Sequence, residues 1–350
     1  MSSVHLSPAA WSRSALDEIA TGPMPCVRLG GARFAAITER ASVAEIVNAT
    51  SAHRGHWTIT ANLDHLRRYG RDPLAQQLID AADLVVADGM PLIWASKLAG
   101  TALPERVAGS NLIWSICEQA RWRGQSIFLL GGDPGVAERA GDVLCERFPG
   151  LRMAGTLCPP RGFEHDDAEL ERLGRSVVAA GPDIVFVALG FPKQDLLIRR
   201  LRYELPSVSF IGVGISLSFV AGDISRAPVW MRRIGFEWFY RLLQEPRRLA
   251  RRYLFSGVPF VCRLLVSALL HRLRGANVVQ ARRDDWGWDL TPSGWDTANL
   301  NGEHRGSDAP AGPCDDGEQG VVQRMSAESA RVRASGARDA GRRSTTPASR

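Results

Sequence analysis

The feature that most constrains the fold is a repeated alternation of short apolar runs, turns and helical segments between Ala32 and Ala276. Each unit begins with β-branched and aliphatic residues, passes through Gly, Asp or Pro, and in most cases enters a segment of helical periodicity. Repeated units of this kind predict an α/β fold with a mostly parallel sheet flanked by helices. The units are HWTITANLDHL, ADLVVADGMPLIWASKLAG, QSIFLLGGDPGVAERAGDVLCERF, PDIVFVALGFPKQDLLIRRL and VSFIGVGISLSF.

The positive charge of the chain is local. The net charge is +6 over 350 residues, yet residues 226–275 alone contain eleven arginines against two acids, Glu237 and Glu245. A protein that binds nucleic acid over its whole surface would have its positive charge spread along the chain, so this pattern favours one basic face that binds an anion. A solvated charged helix is the alternative interpretation. Hydrophobic residues make up 45% of the chain, which suffices for a large core.

Composition divides the chain into four segments. Residues 1–31 are predicted to be an N-terminal extension without a signal-peptide pattern, and residues 32–245 the α/β domain. Residues 246–275 are predicted to form a basic helical C-terminal appendage, and residues 276–350, rich in Gly, Ser, Asp, Arg and Pro, a disordered tail. The six cysteines are scattered, as is typical of reduced thiols in a cytoplasmic protein.

The appendage contains an apolar run, LFSGVPFVCRLLVSALL, at residues 254–270. It is shorter than the roughly twenty apolar residues of a membrane span, and Gly257, Pro259 and Arg263 interrupt it. Arginines flank it on both sides, so the pattern predicts an amphipathic helix lying in a membrane interface. An ordinary buried helix is the alternative.

A glycine-rich turn follows one predicted strand, in FLLGGDPGVAERAG. Gly131 and Gly132 stand before a helix start, where backbone amides can bind phosphate. A plain tight turn explains the same glycines, and a nicotinamide-type dinucleotide site is a weaker alternative because G-x-G-x-x-G is missing. The sequence also lacks a Walker motif and a D-x-D pair, so we expect neither a metal nor a cofactor.

Two other strand ends carry polar groups suited to chemistry. TITANLDHL places Thr60 and Asn62 on one face of a strand, and LVVADGMPL places Asp88 where an apolar strand stops. Partial burial there would raise the pKa of a carboxyl and make it a general base near neutral pH. An ordinary Asp-Gly turn residue is the alternative interpretation of Asp88.

These motifs resemble the WecG/TagA/CpsF glycosyltransferases, glycosyltransferase family 26, in order and spacing. The resemblance spans roughly Ala32 to Leu254, and its most specific part is the basic and aromatic motif at residues 226–254. It implies a Rossmann-like domain that moves N-acetylmannosamine or a related hexose from a UDP-sugar to a polyprenyl-diphosphate-linked saccharide, with inversion and without a metal. The matching stretches are TANLDHL, ADLVVADGMPLIWASKLAGTALPERVAGSNLI, FLLGG, VALGFPKQD, IGVG and RAPVWMRRIGFEWFYRLLQEPRRLARRYL.

The resemblance also implies roles for individual residues. Asp88 matches the proposed general base of the family. Thr60 and Asn62 match an acceptor-binding or sugar-binding pair, while Arg106 and Gln194 match further residues of the pocket. The family setting implies a peripheral enzyme on the cytoplasmic face of the plasma membrane, in exopolysaccharide or cell-wall glycopolymer assembly.

The basic appendage gains a role from the same resemblance. We expect four of its arginines to close over a substrate diphosphate when the appendage settles on an anionic membrane, and we expect no nucleic-acid partner. A homo-oligomer is compatible with the sequence. These arginines are Arg247, Arg248, Arg251 and Arg252.

One departure separates this chain from the family pattern. Leu217 and Ser218 stand where the family usually has Phe and Asp, which leaves the donor sugar open. A catalytically inactive protein that binds a nucleotide sugar or an anionic surface on the same fold is therefore the alternative function.

Overall fold

The structure is a computed structural model that describes residues 24–228, 230–231, 237–244, 246 and 256–273. The predicted tail at residues 276–350 and most of the predicted N-terminal extension lie outside the described residues. Arg247, Arg248, Arg251 and Arg252 also lie outside them.

A short antiparallel hairpin opens the described chain. Its strands are β1 (Cys26–Leu29) and β2 (Ala32–Ala35), joined by Gly30 and Gly31. Both glycines have positive φ, which a tight turn between adjacent strands requires. Strand β1 thus lies within the segment that the sequence analysis assigned to the N-terminal extension.

The main sheet has six parallel strands in the order β4-β3-β8-β7-β5-β6. Every residue of these strands except those of β6 is buried, because helices cover both faces and the hairpin packs against β4. The predicted mostly parallel α/β sheet is confirmed. The strands are β3 (Trp57–Ala61), β4 (Leu84–Ala87), β5 (Ser126–Gly131), β6 (Arg152–Leu157), β7 (Ile184–Ala188) and β8 (Ser209–Gly212).

Helices follow most of the strands, as the alternating pattern predicts. In chain order they are α1 (Glu39–Ser51), α2 (Leu63–Tyr69), α3 (Pro73–Asp80), α4 (Met90–Leu98), α5 (Gly109–Arg123), α6 (Val136–Arg147), a 3-10 turn (Phe163–His165), α7 (Asp167–Ala180), α8 (Lys193–Glu204), α9 (Ser216–Val220), α10 (Glu237–Gln244) and α11 (Val258–Leu273).

The parallel sheet brings the carboxyl ends of its strands to one edge, where α/β proteins bind ligands. Thr60 in β3 is paired in register with Val86 in β4, and the Asp88 N–H continues this pairing by donating to the Ala61 carbonyl at 2.8 Å. Asp88 therefore follows β4 directly beside the end of β3. The alternating strand pattern and the parallel pairing together place these polar groups side by side.

Helix α11 packs against α4, the helix that begins just after Asp88 and Gly89. Leu264 and Ala268 are buried in this contact, whereas Val266 and Leu273 on the other side of α11 are 56% and 73% exposed. Among the described helices none is both long enough and apolar enough to cross a bilayer.

Candidate active site

Asp88 is the centre of the candidate site. Its side chain is half-buried at the end of β4, and its Oδ2 accepts the N–H of Gly109 at 3.4 Å. Gly109 is the first residue of α5, so the amino end of a fifteen-residue helix points at the carboxyl group. The fold thus offers Asp88 a backbone donor and a helix dipole, both of which favour its ionised form.

Burial nevertheless dominates and raises the pKa of Asp88 to about 6. The positive charge of Arg106 lowers this pKa, the negative charge of Glu237 raises it, and the Gly109 bond and Arg226 lower it to a smaller extent. A carboxyl group with a pKa near 6 is mostly ionised at neutral pH and is still a stronger base than an exposed aspartate. This is the balance that a general base requires.

Arg106 joins Asp88 to a distant part of the chain. Its Nη1 donates to Glu237 Oε2 at 2.7 Å, and both side chains are mostly buried. Burial lowers the pKa of Arg106, but Asp88 and the Glu237 hydrogen bond more than offset this, so the pKa is raised above its usual value. Arg106 is therefore a fixed cation beside the carboxyl group.

Arg226 forms a second cation in the same cluster. Its Nε lies 3.8 Å from Glu237 Oε1, and its Nη1 donates to Asn111 Oδ1 at 3.1 Å. Asn111 and Ser115, both on α5, donate in turn to the Glu39 carboxylate at 3.0 and 2.8 Å. The charges around Asp88 are thus held by hydrogen bonds and an ion pair that connect α1, α5 and α10.

Thr60 and Asn62 belong to the end of β3, beside Asp88 at the end of β4, and both make contacts within the fold. Thr60 Oγ1 donates to the Gly212 carbonyl at 2.8 Å. Asn62 caps α2, where its Oδ1 accepts the N–H groups of Asp64 and His65 at 2.9 and 3.3 Å. Their role toward a substrate stays a prediction.

Close packing fixes the start of α5 against β3. A Cβ on Gly109 would lie 3.1 Å from Thr60 Oγ1 and 3.4 Å from the Cα of Val213. A side chain at this position would be tighter than ordinary van der Waals contact, so the neighbouring atoms would have to shift by a few tenths of an ångström. Glycine at this position therefore brings the N–H that contacts Asp88 close to Thr60.

Gln194 is buried at the start of α8, beside the end of β8. Its Oε1 accepts the Gly214 N–H at 3.2 Å, and a Cβ on Gly212 would lie 2.6 Å from its Nε2. The absence of a side chain at Gly212 therefore leaves the space that the Gln194 amide group occupies. Gln194 lies by the same strand, β8, whose Gly212 carbonyl binds Thr60, so the structure brings it to the Asp88 side of the sheet.

Gly131 and Gly132 lie at and just after the end of β5, toward the opposite edge of the sheet from β4 and Asp88. Strand β5 is four positions from β4, which corresponds to about 19 Å at the usual spacing between strands. A Cβ on Gly131 would lie 2.6 Å from the Ala188 carbonyl oxygen, and the Gly132 N–H donates to that oxygen at 2.9 Å. Close approach of β5 and β7 explains both glycines, and phosphate binding there stays a prediction.

Sequence reasoning missed two acids, Glu237, which is mostly buried, and Asp195, which is fully buried. Glu237 is one of two acids among the eleven arginines of residues 226–275, and this contrast is the sequence signal that could have marked it. Asp195 is fully buried in the first turn of α8, and burial raises its pKa to about 7. Its Oδ1 accepts the Trp57 indole N–H at 3.3 Å. An acid in a first helical turn is ordinary in sequence, so nothing local marks Asp195 as buried.

The departure from the family pattern falls on α9. Leu217 is fully buried and Ser218 is 7% exposed, so both residues of this short helix lie in the interior of the protein. Within the described residues no group of three or more His, Cys, Asp and Glu side chains is arranged to hold a metal ion.

Comparison with known proteins gives consistent matches. The model of the Glycosyl transferase WecG/TagA/CpsF family matches residues 27–274. A relative from Bacillus spizizenii is 31% identical over 57% of this chain and 75% of its own length, and one from Staphylococcus aureus is 32% identical over 55% and 74%. A third, from Bacillus subtilis, is 30% identical over 50% and 66%. All three are named N-acetylglucosaminyldiphosphoundecaprenol N-acetyl-beta-D-mannosaminyltransferase.

Proposed function

Because the chain belongs to the WecG/TagA/CpsF glycosyl transferase family, we propose that it transfers N-acetylmannosamine or a related hexose from a UDP-sugar to a polyprenyl-diphosphate-linked saccharide. The names of the relatives supply the sugar and the lipid-linked N-acetylglucosamine acceptor. The observation that carries the proposal is Asp88, a half-buried carboxyl with a raised pKa beside two arginines. Such a transfer would serve exopolysaccharide or cell-wall glycopolymer assembly.

In the proposed reaction Asp88 acts as the general base. The acceptor hydroxyl oxygen attacks the anomeric carbon of the donor, and its proton passes to the Asp88 carboxylate. The bond between the anomeric carbon and the diphosphate oxygen breaks, and the electron pair leaves with UDP. Attack from the face opposite the leaving group inverts the anomeric configuration.

The leaving diphosphate needs positive charge. Arg106 and Arg226 lie close enough to Asp88 to affect its pKa, so they are described cations beside the proposed reaction. We extend the proposal to Arg247, Arg248, Arg251 and Arg252, which follow α10 within eight residues of its end at Gln244. Arginine forks bind phosphate oxygens in pairs, and such donors stabilise the growing charge of the transition state.

The exposed side of α11 is the proposed membrane contact. The helix packs on α4 by one side, while its other side exposes aliphatic residues, and Arg263 and Arg272 lie on the same helix. A lipid-linked acceptor is held at a membrane, so this side fits an anionic bilayer surface at the cytoplasmic face. The exposed aliphatic residues are Val258, Val266, Leu269, Leu270 and Leu273.

The reaction is tested by incubating the protein with a panel of UDP-sugars and polyprenyl-diphosphate-linked N-acetylglucosamine, followed by mass spectrometry of the lipid product. We expect an added mass of one N-acetylhexosamine with UDP-N-acetylmannosamine, or of one hexose with a related donor. Binding of UDP-sugars without any transfer, under conditions in which a family member is active, would favour the catalytically inactive alternative.

The membrane contact is tested by flotation with vesicles that contain anionic lipid. Leu269→Glu combined with Leu273→Glu is expected to abolish flotation, because two charges then face the bilayer. Val178→Glu on α7 is the matched control, since Val178 is also exposed and aliphatic but belongs to another helix. Equal flotation of the double variant and the control would refute the contact.

A further inference from the structure

Glu237 stands out because it is an acid at the start of α10 that contacts two arginines of the candidate site. It lies 131 residues from Arg106 in sequence, yet the two side chains form a 2.7 Å ion pair. Its other oxygen lies 3.8 Å from Arg226 Nε. One carboxylate therefore contacts both of the described cations that act on Asp88.

The charge balance of this cluster depends on Glu237. Asp88 and Glu237 are acids, and Arg106 and Arg226 are bases, so the four charges cancel when all are ionised. Without Glu237, two guanidinium groups would face a single carboxylate. An arginine that pairs with a carboxylate lowers its pKa and weakens it as a base.

The remaining contacts of the cluster do not provide a substitute. Gly109 N–H at the start of α5 stabilises the ionised form of Asp88, and Glu39 on α1 acts on Arg106 from further away. Asn111 contacts Arg226 but carries no charge. Among the groups that act on Asp88, Glu237 is the negative one.

We propose that Glu237 is a positioning residue. It holds Arg106 and Arg226 in an ion-pair network and balances part of their positive charge, so that the two arginines do not weaken Asp88 as a base. The inference rests on the proposed role of Asp88 as the base. Helix α10 would then contribute to catalysis through this one carboxylate, in addition to any contact that the neighbouring arginines make with substrate.

The test is Glu237→Gln, which keeps the shape and one oxygen acceptor for Arg106 but removes the charge. The midpoint of the acidic limb of the kcat/KM profile is expected to fall by about half a unit to one unit, because a negative neighbour of Asp88 is lost. The plateau rate is expected to fall by roughly three- to tenfold, because a weaker base accepts the proton. Glu237→Asp, which keeps the charge, is expected to restore the midpoint.

Glu171→Gln is the matched control, because Glu171 forms an exposed ion pair with Arg175 at 3.1 Å on α7. It is expected to change neither the midpoint nor the rate. A loss of rate in Glu237→Gln with an unmoved midpoint would show a merely structural role and overturn the inference.

A second measurement separates this inference from the proposed function. The carboxyl carbon of Asp88 is followed by NMR in aspartate-labelled protein and assigned with Asp88→Asn, so no turnover is needed. A lower Asp88 pKa in Glu237→Gln supports the positioning role even if no donor is ever transferred. An unchanged pKa refutes it even if the enzyme is active.

Discussion

Asp88 and Asp195 are two carboxyl groups with raised pKa values, and they lie in regions of opposite character. Asp88 follows β4, is half-buried, and is surrounded by Arg106, Arg226 and Glu237. Asp195 lies in the first turn of α8 and is fully buried, and within the described residues burial and hydrogen bonds, not neighbouring charges, set its pKa. Burial is the largest cause of the raised pKa in both.

The difference teaches that a raised pKa alone does not identify a catalytic group. At Asp195 the side chain accepts from the Trp57 indole and from the Gln194 amide, and it is closed off from solvent. Asp88 is only half-buried, and cations and an anion adjust its pKa in opposite directions. Access and charged neighbours distinguish a site carboxyl from an interior one.

The largest expected effect is on catalysis. Asp88→Asn keeps the shape of the side chain but cannot accept a proton, so kcat/KM is expected to fall by a factor of roughly one hundred to ten thousand. Asp195→Asn is expected to cost far less, because Asp195 is enclosed within the fold. Steady-state kinetics of both variants measures the contrast, and equal losses would remove the distinction between the two regions.

The next effect is on stability and concerns Asp195. Its pKa is about 7 in the folded protein and near 4 in the unfolded chain, so the folded state binds the proton more tightly. The stability that this provides is present below pH 4 and is lost as pH rises through 7. The contribution of Asp195 to the free energy of unfolding should therefore fall by about a few kcal/mol between pH 4 and pH 8.

Asp195→Asn should flatten this pH dependence and leave the variant at least as stable as the wild type at pH 8. Its Oδ1 can still accept the Trp57 N–H. Urea unfolding at pH 5 and pH 8 measures the slope, and Asp142→Asn, in a more exposed position on α6, is the control. An identical slope in wild type and Asp195→Asn would show that Asp195 titrates normally.

The smallest expected effect concerns a neutral group on the Asp88 side. Thr60→Val removes the hydroxyl that donates to the Gly212 carbonyl and should cost about 1 kcal/mol of stability. Thr60→Ser keeps the hydroxyl and is the matched control. If Thr60 also binds substrate, as predicted, Val lowers kcat/KM and Ser does not. Equal stability of both variants would mean that the hydrogen bond contributes nothing measurable.

Much of the fold was readable from sequence. Alternation of apolar strands, turns and helical segments predicted a parallel α/β sheet, and the apolar run before Asp88 placed that carboxyl at a strand end. Such features are encoded by residues close together in the chain, through side-chain periodicity and turn chemistry. The basic motif around residues 226–254 carried the family assignment, which the comparisons confirmed.

The tertiary structure decided which of these groups meet. Strand order separates Gly131 and Gly132 from Asp88, and only packing reveals that the Gly132 N–H is already bonded to the Ala188 carbonyl. The pairing of Arg106 with Glu237 joins residues 131 positions apart. No local pattern encodes such a contact, because it depends on where α10 packs. Sequence by itself thus determined the elements and placed a carboxyl group at a strand end, whereas the charge environment that sets the pKa of that carboxyl is a product of the fold.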